Sequence, residues 1–178
     1  MTDSPWQSPD LSPPPEAVLS AAPEGCEPYR LFTVDPLFLN GDPESLAIRL
    51  RYFAPPDRSF IRANAWYGPD AQGPPGHAHG GSMASLLDEA MGGVAWAQGH
   101  RCLALEIKVQ FRKALPLGTL VQVRSWVERV DEKKVYCRAE MRGLENELYS
   151  ESSGLFLELD PEKIAQFGKK FHTNKESA

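Results

Sequence analysis

Apolar and polar positions alternate most cleanly at Leu103, Leu105, Ile107, Val109 and Phe111, which interleave with Ala104, Glu106, Lys108, Gln110 and Arg112. A period of two predicts an extended strand with one dry face and one largely wet face. Two shorter strand-like runs, LAIRLRYF and RSFIRANAWY, precede it and are separated by a Pro-Pro-Asp turn. Three more follow, TLVQVRSWVERV, KKVYCRAEMRG and ELYSESSGLFLEL, broken at Asp131-Glu132 and over residues 143–146. Those spacings suit antiparallel hairpins.

Between the early and late strands the period changes. From about residue 80 to 98, Met83, Leu86, Leu87, Ala90, Val94 and Ala97 recur at helical spacing and form one stripe. Pro74-Pro75-Gly76 opens this helix and Gly99 closes it. The other side carries Gly81, Ala84, Ser85, Asp88, Gly92 and Ala95, all small except for one carboxylate. A solvent-facing side would carry Lys, Glu and Arg, so the small residues predict a helix covered on both sides: by sheet on one, and by a second copy or a ligand on the other. The helix would be about 28 Å long and the clearest strand about 33 Å, so one can lie along the other. Two strands, one long helix and four strands describe an α+β domain, an antiparallel sheet wrapped around a central helix.

The flanks read differently. Eight of the sixteen prolines fall in the first 36 residues, mixed with Ser and acidic residues. This predicts a mobile acidic tail over residues 1–28, either inert or a docking sequence for a partner. The folded domain is expected over residues 29–160. A short helix and a frayed Lys-rich end are expected over 161–178.

Composition narrows the function. A net charge of −5 disfavours nucleic acid, whose binding depends on clustered cations. No stretch approaches the roughly 20 apolar residues of a membrane span, and the first residues lack the pattern of a secretion signal. Cys26, Cys102 and Cys137 form no CxxC pair, which argues against a disulfide framework or structural zinc and for a reducing, cytoplasmic compartment. His77 and His79 have an HxH spacing, but His100 and Cys102 lie at the far end of the helix, so no metal site is expected.

The chemistry concentrates at the helix start, Gly73-Pro-Pro-Gly-His-Ala-His-Gly-Gly81. N–H groups there lack intrahelical partners and sit at the positive end of the macrodipole, so those of Gly80 or Gly81 can hold an oxyanion. A carbonyl laid against them would be stabilised further as charge grows on its oxygen. Asp88 is the one ionisable group on the small-residue face. It lies about 12 Å along the axis from Gly80, too far to serve the same carbonyl. Two copies with antiparallel helices would bring Asp88 of one to the helix start of the other. His79 is expected to fix the turn through hydrogen bonds. Arg112 and Lys113 follow a strand end, where they are either solvated or in reach of phosphates.

His79-Gly80-Gly81, Asp88 nine positions after the His, and the strand ending Phe111-Arg-Lys-Ala-Leu-Pro-Leu-Gly118 together resemble the hotdog-fold acyl-CoA thioesterases. The branch most resembled is thioesterase superfamily members 4 and 5, whose helix start also reads Gly-Pro-Pro-Gly before the His-Gly-Gly. The resemblance covers about residues 69–159. It implies a dimer or dimer of dimers that hydrolyses acyl-CoA without metal or cofactor, and it adds mitochondria as an alternative compartment. Gly80 matches the oxyanion donor and Asp88 the acid that activates water or attacks the thioester. His79, Gly81, Ser85, Arg112 and Lys113 are the candidate substrate-binding residues. Many relatives carry a Ser or Thr where this chain has Ala104, a position facing the site; Ser85, one turn before Asp88, is a candidate substitute. A non-catalytic acyl-CoA binder and a partner-binding protein acting through the tail are the alternative functions.

Overall fold

The computed structural model describes residues 11–31, 38–39, 44–160, 162 and 164. In chain order the elements are α1 (Glu16–Leu19), β1 (Glu27–Pro28), β2 (Ile48–Ala54), β3 (Phe60–Tyr67), α2 (Gly80–Ala97), β4 (Cys102–Phe111), β5 (Leu120–Asp131), β6 (Lys134–Gly143) and β7 (Leu148–Glu158). The strands form one antiparallel sheet in the order β1-β2-β3-β5-β6-β7-β4. The long helix crosses the concave face of this sheet, as the element order predicts.

The inner face follows from alternation. Leu50 and Tyr52 of β2, Ile61, Ala63 and Ala65 of β3, Val121 and Val123 of β5, and Val135, Cys137 and Ala139 of β6 are all buried. They meet Met83, Leu86, Leu87, Ala90, Met91 and Val94 of α2. Of these strand residues, those of β3, β5 and β6 are small or β-branched, which lets the helix approach closely. One polar tie fixes its height, because buried Ser125 donates to Ala90 O at 2.7 Å.

Two expectations need correction. The five apolar residues of β4 do not share a face. Ala104 pairs with Phe156 and Glu106 with Leu155, leaving Leu105 as a bulge between them. One extra residue in a period-two pattern shifts every later side chain to the opposite face. Ala104, Ile107, Val109 and Phe111 therefore face α2, while Leu103 does not. Nor is the face dry. As the outermost strand, β4 leaves Leu103, Leu105, Ile107 and Phe111 exposed, at 39–59%.

The second correction concerns the tail. Residues 11–28 pack on the sheet. Leu19 is buried at 1%, and the carbonyls of Leu19 and Ala21 accept from buried Asn64 Nδ2 at 3.0 and 2.9 Å. Glu16 pairs with Arg51 at 2.8 Å, and β1 extends the sheet beyond β2. Burying Leu19 contributes about 2 kcal/mol. Beside β1 the outward-facing Phe53 is 1% exposed. Leu31 then reaches α2, its methyl groups lying 2.6 and 2.8 Å from where Gly93 would carry a Cβ. The expectations for residues 1–10 and for most of 161–178 lie outside the described residues.

Candidate active site

The helix start is held by its own first residues. The His79 side chain caps it, Nδ1 accepting from the Gly81 N–H at 2.9 Å. His79 O accepts from Ser82 N at 3.0 Å and Met83 N at 3.4 Å. Of the four donors that open a helix, this leaves the Gly80 N–H without an acceptor among the described residues. A Cβ at Gly81 would lie 2.8 Å from His79 Nδ1, so a side chain there would displace the capping ring. The ring of Phe111 lies over Gly80, 3.3 Å from where its Cβ would be.

A cavity of about 320 Å³ adjoins this point, lined by Pro74, Gly80, Met83, Phe111, Arg112 and Lys113. Gly80, Arg112 and Lys113 are thus brought together. Arg112 is already engaged: its Nε donates to Glu151 Oε1 at 2.8 Å, and its Nη2 donates to Glu151 and Gln110. Lys113 is exposed and has no ion pair among the described residues. A larger cavity of about 520 Å³ lies on the β2 side of the helix start, with Leu39, Ile48, Ala71, His79 and Ser82 in its walls.

Asp88 is half-buried, and burial raises its carboxyl above the usual aspartate range. Ser85, one turn earlier, donates to Gly81 O at 2.9 Å, so its oxygen has only acceptor capacity left for a water. Gly81, Ala84, Ser85, Asp88 and Gly92 stay partly or fully exposed, whereas Ala95 is buried. Among the described residues, therefore, most of the small-residue face is uncovered. Ala104 is directly opposite Phe156, whose ring lies 3.5 Å from where Gly92 would carry a Cβ. This sets position 104 beside the helix, about one turn past Asp88.

Two groups escaped the sequence reading. Glu89, next to Asp88, accepts from the buried Tyr52 hydroxyl at 2.8 Å. Burial raises the Glu89 carboxyl, with the Asp88 charge adding to the effect and the Tyr52 bond opposing it. Ser150, opposite Phe111 on β7, is fully buried, and its Oγ has no partner among the described residues. The partner of Glu89 comes from a distant strand, so only its place as an acid on an apolar helix signalled it, and nothing local signalled Ser150. Burial pushes the thiols of Cys102 and Cys137 up to about 11 and about 12, unsuited to nucleophilic work at neutral pH. Among the described residues no three His, Cys, Asp or Glu side chains gather as a metal site, and no helix is long and apolar enough to cross a membrane.

Residues 75–150 match the family model described as "Thioesterase superfamily". The chain is 37% identical over 101 residues to the mouse acyl-coenzyme A thioesterase THEM5, covering 56% of this chain and 40% of that protein. It is 32% identical over 128 residues to bovine acyl-coenzyme A thioesterase THEM4, covering 71% and 53%. It thus spans about half the length of the curated relatives it matches. Among solved structures, a hypothetical thioesterase protein with coenzyme A from Streptococcus pneumoniae aligns with a TM-score of 0.55 at 15% identity, over 57% of this chain and 80% of that one. A Streptococcus mutans protein bound to acetyl CoA aligns at 0.58 and 13%, over 69% and 95%. The helix wrapped by an antiparallel sheet is the hotdog fold, and the stretch from just before this helix start to β7 is, by sequence, like the thioesterase superfamily.

Proposed function

We propose that the chain hydrolyses acyl-CoA thioesters to a free carboxylic acid and CoA, at a site completed by a second copy of itself. One observation carries this reading: His79 satisfies the other donors of the helix start and leaves the Gly80 N–H for a substrate oxygen. The thioester carbonyl accepts from that N–H, and the bond strengthens as the oxygen becomes an oxyanion. The partner's Asp88 removes a proton from water, and the resulting hydroxide adds to the carbonyl carbon. The tetrahedral intermediate collapses, the C–S bond breaks, and the CoA thiolate takes the proton from Asp88. A direct attack by Asp88 to give a mixed anhydride would differ by a burst of CoA ahead of the acid.

The second copy is inferred from what one chain leaves open. Gly80 and Asp88 are separated by about 12 Å along one axis, and among the described residues most of the small-residue face is uncovered beside an outer strand rich in exposed apolar residues. A long apolar edge strand is a template for pairing. Two copies joined there would cover both features and give two equivalent sites. In this reading Lys113 meets the CoA phosphates, with Arg112 beside it, and the 520 Å³ cavity receives the acyl chain. A reducing compartment, cytoplasm or mitochondria, suits three free thiols.

Ala104 favours a second reading, acyl-CoA binding without hydrolysis, because no hydroxyl stands there to position water. Release of CoA from a chain-length series of acyl-CoAs tests both. Turnover by the wild type supports the hydrolase; tight binding without release selects the binder.

A further inference from the structure

The outer face of the sheet, turned away from α2, holds a concave site that the thioesterase reading does not use. Arg62 and Arg124 are direct partners across β3 and β5, with Cα atoms about 5 Å apart. Both guanidiniums lie over the same ring, 5.7 and 4.9 Å from the centroid of Phe60. Arg142 pairs with Gln122, two residues along from Arg124, and so reaches the same spot diagonally. A cavity of about 410 Å³ lies among these three arginines, Gln122, Glu140 and Asn146.

Like charges directly opposite one another destabilise a sheet, and this cluster is not neutralised from within. Glu140 is the single carboxylate in its lining, and Arg142 Nε holds it at 2.8 Å. The next acid, Glu147, lies beyond Gly143 and accepts from Tyr149 Oη at 3.0 Å. Arg62 Nε is buried without a hydrogen-bond partner among the described residues. Leaving such a donor unmade costs about 1–3 kcal/mol, more for a charged group. A chain of net charge −5 therefore gathers three guanidiniums around one concavity and leaves a buried donor over.

We propose that this concavity binds a phosphate group carried by a small molecule, a phosphomonoester or a diphosphate, independently of the helix-start site. Three guanidiniums against one carboxylate suit a dianion, and their planar forks match phosphate oxygens bidentately. A phosphate oxygen would also take the unused Arg62 Nε–H. One wall is fixed by the N-terminal segment: Asn64 donates to Leu19 and Ala21 while its Oδ1 accepts from Gln122 Nε2 at 3.4 Å.

Calorimetric titration of the full chain with inorganic phosphate, pyrophosphate and ADP at about 0.05 M ionic strength, where screening is weak, tests the proposal. At least one probe should bind once per chain, and Arg62→Gln/Arg124→Gln should weaken it tenfold or more. Arg112→Gln/Lys113→Gln should leave it unchanged. Binding of orthophosphate identifies the isolated anion as sufficient, preference for pyrophosphate points to a diphosphate, and preference for ADP points to a nucleotide. No binding by any probe overturns the proposal. So does binding that survives loss of Arg62 and Arg124, or that disappears with Arg112 and Lys113 instead. Should the double variant fail to fold, Arg124→Gln alone, at an exposed side chain, must still weaken binding several-fold.

Discussion

The two ends of the sheet are finished in opposite ways. At the β2 and β3 end the chain supplies its own cover: Leu19 and Ala21 hold buried Asn64 on the outer face, and β1 pairs with the β2 edge at Phe53. At the β4 end no described residue covers the apolar side chains, and Leu105 is 59% exposed and Phe111 53%. Strands of similar composition are sealed in one place and bare in the other, and the bare end carries Phe111 against Gly80. The contrast teaches that the molecule can close an edge when closure is wanted, so an edge left open beside a helix start points to a second chain.

The contrast breaks most severely at β4. Leu105→Glu with Ile107→Glu should halve the mass in sedimentation velocity and abolish CoA release, because charge on an edge opposes pairing. An unchanged mass would remove the edge from the assembly. Next, Asp88→Asn should lower kcat about a hundredfold or more, the scale of a lost general base, with the mass unchanged. Unaltered turnover would take Asp88 out of the mechanism.

At the sealed end the effects should be on stability alone. Leu19→Ala should cost about 2–5 kcal/mol, and Asn64→Ala about 1–3 kcal/mol through its lost bonds to Leu19 and Ala21. Denaturant titration would measure both, and turnover per folded molecule should hold. A fall in turnover matching that of the β4 variant would mean the two ends are coupled.

The smallest effect returns to Asp88. Burial raises its carboxyl, so its protonated form is the one the fold favours. That contribution is present below the unfolded pKa and is lost as pH rises through the higher folded value. At pH 7 Asp88→Asn should therefore melt no lower than wild type and slightly higher, with the difference vanishing below about pH 4. In wild-type activity the same shift should move the acid limb of kcat/KM above the usual aspartate range. A melting temperature that falls at neutral pH would contradict the desolvated carboxylate.

The helix was legible because its stripe and caps are local. Met83, Leu86 and Leu87 declare their neighbours three and four residues apart. The phase of β4 was not, since a bulge belongs to a pair of strands, and only the step from Ala104–Phe156 to Glu106–Leu155 reveals it. Over residues 11–28 the only regular elements are the short α1 and β1, and docking there depends on a few anchors such as Leu19, whose socket exists only once the sheet has formed. At the site, the sequence offered Gly80 and Gly81 equally; the His79 ring separates them by taking one N–H. The Arg112–Glu151 pair and the Tyr52–Glu89 bond join residues 39 and 37 positions apart, a distance no spacing rule spans.

Leu31 seated in the place of a Gly93 side chain also fixes an order of events. On the ribosome Leu31 is made before the helix that receives it, so it must wait unseated until α2 has been synthesised and laid on the sheet. A proline-rich strap is well suited to that delay, because it offers few backbone donors to the newborn strands and buckles only when its socket arrives.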